Sequence, residues 1–369
     1  MSDLFAEDLH AKRVLSLANG VVGVLHSAAL GIHAIGLGMA SAMSLDPKHT
    51  TKQVDRLLGN VGVDPWELMV SWVPFLVRER PEIVVALDWT DHDADDHTTC
   101  MLSLVTAHGR TTPMVWKTIT KSRRAGRQFE VESEVIEHAH AVIPETVGVT
   151  LLADRGFGDQ ARYAALAVLG WDWVIRFRGN IRVRNARGEV RTAAQWVQPG
   201  GRPRRMADAT VTADEAPVPA VVVVKKAGMK EAWCLATSRA DLPAAEVIGL
   251  YSKRFSIEEN FRDTKDPRFG LGLSLVRLGD CGRRDRMLWL ATLAEALLTL
   301  LGAASERTGL DKRLYPGTAK RRVHSLFSQG QRWYQLLPTL REAWLRPLMT
   351  AFGEILAEHQ ITRQIFAVL

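Results

Sequence analysis

The sequence predicts a mixed α/β protein: a core of strands and helices that carries a β-strand-rich insertion and is flanked by N-terminal and C-terminal helical regions. Three observations lead there. Up to Arg80, apolar residues recur at three and four residue spacing with no strand signal. Between Pro81 and Arg178, short β-branched runs alternate with helical periodicity, and from Leu242 the pattern is helical to the end. The length of 369 residues implies two or three structural units. A hydrophobic share of 47% with 24% charged residues excludes a disordered or fibrous chain.

In the first region, Thr50–Leu58 reads as a capped amphipathic helix. The uncharged stretch Val14–Leu45 holds His26, His33, Asn19 and several glycines, poor material for a spanning helix, so a buried helical layer is expected. Leu288–Ala304 is long and apolar but carries Glu295 near its centre, and is expected to be a core helix. Met1–Asp8 is acidic, unlike a secretory signal. Cys100, Cys234 and Cys281 lie far apart with no CxxC pair, which fits a reducing compartment, and the expected address is the cytoplasm, with no membrane partner. The formal net charge of +6 leans toward a polyanionic partner.

The texture changes at Pro81. Ile83–Leu87, Cys100–Ala107 and Thr112–Ile119 read as a strand meander. A helix over Arg127–Val142, a strand Val149–Ala153, a helix Asp159–Leu169 and a strand Trp171–Arg178 follow. The order βββαβαβ is that of ribonuclease-H-like folds, with the first and fourth strands as neighbours. Short strand signals at Ile181–Val183, Ala209–Thr212, Val221–Lys225 and Ala232–Thr237 mark the insertion, and Gln198–Arg205 is expected to be an exposed basic loop. The resulting division is 1–80 helical, 81–179 core, 180–240 insertion, 241–278 closing helix of the core, and 279–369 helical, with Arg313, Lys320, Arg321 and Arg322 as basic groups of the last region.

The chemistry concentrates in Tyr251–Lys265. On a helix with Tyr251 at zero, Arg254 falls at about −60°, Glu258 at about −20°, Arg262 at about +20° and Lys265 at about −40°. One carboxylate among three cations on one face suits a metal ligand beside a held phosphodiester; a solvated ion-pair face is the competing reading. Asp88 ends the Val84–Leu87 run and Asp154 ends Val149–Ala153, where ligand groups emerge from a sheet, although turn and cap positions use the same residue. With the two strands adjacent and a helix returning over the sheet, Asp88, Asp154 and Glu258 can hold two Mg²⁺ ions for an in-line displacement.

The spacing Tyr251-x2-Arg254-x3-Glu258-x6-Lys265 resembles the YREK signature of DDE transposases of the insertion sequence four family. Asp154-Arg155-Gly156-Phe157 is similar to that family's D-x-G-F block, and Asp88-x-Thr90 to its first catalytic block; the resemblance runs from about Pro81 to Arg277. It implies that Asp88, Asp154 and Glu258 are the metal-binding triad, with two Mg²⁺ ions for which Mn²⁺ substitutes, and that Tyr251, Arg254 and Lys265, with Arg262 beside them, hold phosphates of the transposon end. It implies double-stranded DNA as partner, both terminal inverted repeats and target. It also implies that 1–80 binds DNA, that two copies form a homodimer pairing two ends in a synaptic complex with 279–369 as the candidate for dimer contacts, and that the enzyme is bacterial and cytoplasmic, nucleoid-associated when bound. Trp233 is similar in position to the tryptophan that stacks on a flipped base in hairpin-forming relatives. Phe255 stands where those relatives often have tryptophan, and a buried strand residue remains the competing reading for Trp233.

Other chemistries recede. The run Asp91–His97 fails the HxHxDH pattern because Ala94 stands at its second histidine, and it is expected to be a solvated loop. No P-loop, GxGxxG or nucleophile elbow occurs. The expected function is Mg²⁺-dependent cleavage at transposon ends followed by strand transfer. The alternatives are a two-metal nuclease without strand transfer and an inactive end-binding remnant.

Overall fold

The computed structural model describes residues 1–5, 7, 9–319 and 321–369. Lys320 and Asp8, both noted in the sequence, lie outside the described residues. The chain forms two compact units. The larger comprises Met1–Arg80, Trp89–Pro144 and Glu258–Leu369; the smaller comprises Pro81–Asp88 and Glu145–Ile257.

The larger unit begins with five helices: α1 (Ser2–Phe5), α2 (Ala11–Ser27), α3 (Ile32–Met43), α4 (Pro47–Gly59) and α5 (Pro65–Val77). Two of them start as the sequence dictates, with Asp46 and Asp64 accepting from backbone N–H groups of the first turn and a proline following each. Strand β1 (Glu82–His92) is shared: its last four residues belong here, beside the hairpin β2 (His97–Val105) and β3 (Thr111–Thr120), in the order β3-β2-β1. α6 (Gln128–Val142) follows.

In the smaller unit the first half of β1 runs parallel to β4 (Gly148–Ala153), and β4 parallel to β5 (Asp172–Phe177), with α7 (Gln160–Val168) as the connection. The first and fourth strands are therefore neighbours, as the ribonuclease-H-like layout requires. The sheet continues antiparallel through the insertion, in the order β1-β4-β5-β10-β9-β8-β6-β7. These strands are β6 (Arg182–Arg184), β7 (Val190–Thr192), β8 (Arg204–Val211), β9 (Ala216–Val224) and β10 (Trp233–Thr237). β8 begins at Arg204, so the expected basic loop is shorter than the sequence suggested. Alternation lets both arginines sit in a ladder with Val222 and Val223 of β9.

After α8 (Ala244–Ser252) and α9 (Ser256–Lys265), the larger unit is completed by α10 (Cys281–Arg307), α11 (Leu326–Leu336) and α12 (Glu342–Ile361). α10 is long and apolar enough to cross a membrane, but 89% of its apolar window is buried, as expected of a core helix. It meets α11 at glycines: a Cβ on Gly330 would stand 1.8 Å from the Leu298 carbonyl oxygen, and one on Gly302 1.9 Å from that of Leu326. Two basic groups expected at a dimer surface are engaged within the chain, Arg322 with Glu306 at 2.6 Å and Arg313 over the Trp344 ring at 4.1 Å.

Candidate functional site

Hydrophobic burial sets the register that positions the two aspartates. Val84–Leu87 and Val149–Ala153 are buried on both faces and pair in parallel up to Leu87 against Ala153. Asp88 and Asp154 come next on strands about 4.8 Å apart, and residues in register share a face. β1 itself does not stop at Asp88, as the sequence suggested, but runs on to His92. What ends there is its pairing with β4, because the chain after Asp154 turns through Arg155–Phe157 and is anchored by buried Phe157.

Each carboxylate faces a partner from the Tyr251–Phe255 block or the sheet. Arg254, 3% exposed, donates from Nη1 to Asp88 Oδ2 at 2.9 Å, and the Asp88 side chain is 22% exposed. Tyr251, fully buried, donates its hydroxyl to Asp154 Oδ1 at 3.3 Å, and Arg176 Nη1 stands 3.7 Å from the same oxygen, with Asp154 33% exposed. Burial, then the neighbouring Asp154 charge, raise the Tyr251 hydroxyl above its ordinary pKa, so it stays a donor. Tyr251 and Arg254, expected to face phosphate, thus face the two aspartates. Arg176 was not singled out in the sequence, although a lone arginine in the apolar strand Asp172–Phe177 was a usable signal.

Trp233 gathers with the same block. Its ring stacks on Phe255 at 5.7 Å and 24°, meets Tyr251 edge-on at 5.0 Å, and Arg254 lies over Phe255 at 4.6 Å. Trp233 is half-buried, neither core-packed nor free. Beside it, Glu231 binds Arg176 at 2.9 Å and Arg155 at 3.0 Å.

The other sequence-predicted residues lie on α9, in the larger unit. The expected single helix from Tyr251 to Lys265 is broken by a 3₁₀ turn at Lys253–Phe255 between α8 and α9. Glu258 is exposed. Arg262, also exposed, pairs with Glu259 on its own helix. Lys265 is half-buried and donates to the Asp91 carbonyl at 2.6 Å and Thr90 Oγ1 at 3.1 Å; burial lowers its pKa.

The inner side of α9 is polar and sequestered. Glu295 of α10 accepts from Asn260 Nδ2 at 3.0 Å and lies 2.6 Å from Thr264 Oγ1, while Arg110 donates from Nε to Asp263 at 2.5 Å. Burial raises the Glu295 carboxyl from 4.5 to about 8. The geometry agrees. The Thr264 hydroxyl has one proton and already lies 3.1 Å from the Asn260 carbonyl oxygen, which can only accept. A protonated Glu295 supplies the donor that satisfies both contacts.

The run Asp91–His97 is a pinned corner of the larger unit rather than a solvated loop. Lys121 binds Asp91 at 2.9 Å and Asp93 at 2.5 Å, Arg284 makes a buried ion pair with Asp95, and Ser122 donates to Asp96 at 2.6 Å. His92 is buried against Thr99. These partners lie far away in sequence, which is why a charged run read as solvated.

Among the described residues, no three His, Cys, Asp or Glu side chains cluster closely enough to hold a metal ion. Asp88 and Asp154 offer part-exposed carboxylate oxygens on neighbouring strand positions, each already facing positive charge. That is the hard-oxygen donor chemistry that magnesium takes. A comparison with curated proteins finds no match. A family model described as "Transposase DDE domain" matches residues 79–290, more than half of the chain and a segment that includes Asp88, Asp154 and Glu258. With the β1-β4-β5 order and this match together, the chain belongs to the transposase DDE-domain family.

Proposed function

We propose that this transposase is of the insertion sequence four kind, that it cleaves DNA at the ends of its element, and that it joins the freed 3′ hydroxyl to target DNA. The observation that carries the reading is the placement of Asp88 and Asp154 one step past an in-register parallel pairing, faced by Arg254 and Tyr251 of the YREK-like block. Glu258 is proposed as the third acid by its place in that spacing. Mg²⁺, or Mn²⁺ in its place, held by these acids would supply Lewis-acid activation of the phosphodiester and of the attacking water or hydroxyl.

The chain's own residues bind and orient. Buried Arg254 holds Asp88 by its hydrogen bond, and the Tyr251 hydroxyl does the same for Asp154. Arg176 brings positive charge toward the position where phosphate oxygens arrive. Lys265 and exposed Arg262 add backbone contacts that fix DNA without reading its sequence. Trp233 and Phe255 form an aromatic surface on which an unpaired base can stack. Two copies acting on paired ends, in a cytoplasmic setting, complete the proposal.

Inverted repeats bordered by short direct duplications in the DNA flanking the coding region would identify the substrate. With those repeats, a plasmid integration assay in Mg²⁺ separates the readings. Joined products that vanish in Asp88→Asn, Asp154→Asn and Glu258→Gln support transposition. Nicked ends without joining would make the protein a nuclease, and binding without nicking in either Mg²⁺ or Mn²⁺ would make it an inactive end-binder.

A further inference from the structure

The family match begins at residue 79, so helices α2, α3 and α4 lie outside it. α2 and α3 meet at 94°, and α3 passes to α4 through the three residues Ser44–Asp46, with Ser44 in the left-handed region at φ 54°. The α3–α4 crossing is close. Thr50 Oγ1 donates to the Gly36 carbonyl at 2.7 Å, and a Cβ on Gly36 would stand 2.6 Å from the Thr51 Cα. Two helices locked across a three-residue turn, the second with an exposed outer face, have the connection length of a helix-turn-helix.

α4 is strongly two-faced. Thr50, Val54, Leu57 and Leu58 are buried, whereas all nine residues from Ser41 to His49 are exposed, as are Lys52 and Arg56. At 100° per residue, Lys48, Lys52, Arg56, His49 and Gln53 fall within an arc of about 140° on the outer side. With Arg13 of α2, the residues His49, Lys52, Gln53 and Arg56 line an open groove of about 580 Å³. The two acids nearby are withdrawn from this face: Asp46 caps α4 by accepting from the His49 N–H at 2.9 Å, and Asp55 pairs with Arg283 of α10. Arg13, Lys48, Lys52 and Arg56 have no ion-pair partner among the described residues. At about 20 Å long, α4 fits a major groove about 12 Å wide.

We propose that α4 is the helix that reads duplex DNA, lying in the major groove with Gln53 and His49 toward base edges and with Lys48, Lys52, Arg56 and Arg13 on flanking phosphates. The proposal rests on the transposase reading and assigns sequence recognition to residues outside the catalytic domain. The side-chain chemistry fits this division: the amide of Gln53 makes paired hydrogen bonds to adenine, and the cations contact any sequence alike.

The test uses the full chain in EDTA, so that binding is measured without cleavage. Duplexes selected from a random 20-base-pair library by the wild type are compared with scrambled duplexes by fluorescence anisotropy. Gln53→Ala should weaken the selected duplex about tenfold or more and leave the scrambled one unchanged. Lys52→Ala and Arg56→Ala should weaken both alike and each lower the slope of log K against log salt by about 0.9. Lys52→Glu, at an exposed position, guards against a null result from a marginal alanine effect. Unchanged selected binding and salt slope in all four variants, with wild-type circular dichroism, overturn the assignment of α4. If Asp88→Asn still abolishes Mg²⁺-dependent cleavage in that case, the transposase reading stands alone. A wild type that retains no duplex from the library overturns both.

Discussion

Removing the charge of Glu295 should stabilise the protein above neutral pH and not below. The carboxyl is fully buried on α10, and burial lifts it from 4.5 to about 8. Between those values the folded protein holds a proton that the unfolded chain has released, so stability falls as pH rises through this window. At about 1.4 kcal/mol per pH unit, the full effect is at most about 5 kcal/mol. Glu295→Gln mimics the protonated acid, since its amide N–H₂ can donate to Thr264 Oγ1 while its oxygen accepts from Asn260. Urea denaturation followed by tryptophan fluorescence, with Trp289 buried on the same helix, should give similar stabilities for wild type and variant at pH 5. At pH 9 the variant should be more stable by roughly 2 to 5 kcal/mol. Asp285, raised to about 7 by burial, drifts in the same direction in both proteins and cancels in the difference. A gap of the same size at both pH values would refute the protonated, buried state of Glu295.

Other perturbations have equally definite outcomes. Burial lowers His108 and His359 to about 4, each with Nε2 bound to a backbone carbonyl, so stability should fall as pH drops from about 6.5 toward 4; His359→Gln should flatten that acid limb in the same urea experiment. Gly330→Ala places a methyl against the Leu298 backbone and should cost several kcal/mol, about 3 or more, read as a lowered thermal midpoint; Gly353→Ala, where nothing lies within 4 Å, is the neutral control. Arg254→Ala removes the buried partner of a part-exposed carboxylate and should cost about 2 kcal/mol in urea denaturation while abolishing cleavage; stability unchanged within about 0.5 kcal/mol would mean the pair contributes nothing.

The order of strands and helices between Pro81 and Arg178 was legible because burial on both faces writes unbroken apolar runs such as Ile83–Leu87 and Val149–Ala153. Local propensity does not encode where a helix breaks under tertiary load. The stripe from Tyr251 to Lys265 keeps helical spacing, yet Arg254 swings toward Asp88 through a 3₁₀ turn that spacing alone cannot foresee. The roles of charged residues were least legible, because an ion pair joins distant positions. Asp95 and Arg284 are nearly two hundred residues apart, and the same holds in kind for Arg110 with Asp263. Glu295 stood out in the sequence only as an interruption of an apolar helix; its partners on α9 give the interruption a reason.

The guanidinium groups resting on Asp88 and Asp154 act as built-in counter-ions, and this has a thermodynamic consequence on the proposed reading. A divalent cation entering alone must compete with Arg254 and Arg176 for the same oxygens, whereas a phosphate backbone draws those arginines to itself. Metal and nucleic acid should therefore assist one another, each raising the other's affinity by an equal factor. On that reading, a protein with neither ligand holds its acids neutralised by their own arginines. Mn²⁺ titrations with and without a duplex would measure this linkage, and identical affinities would abolish it.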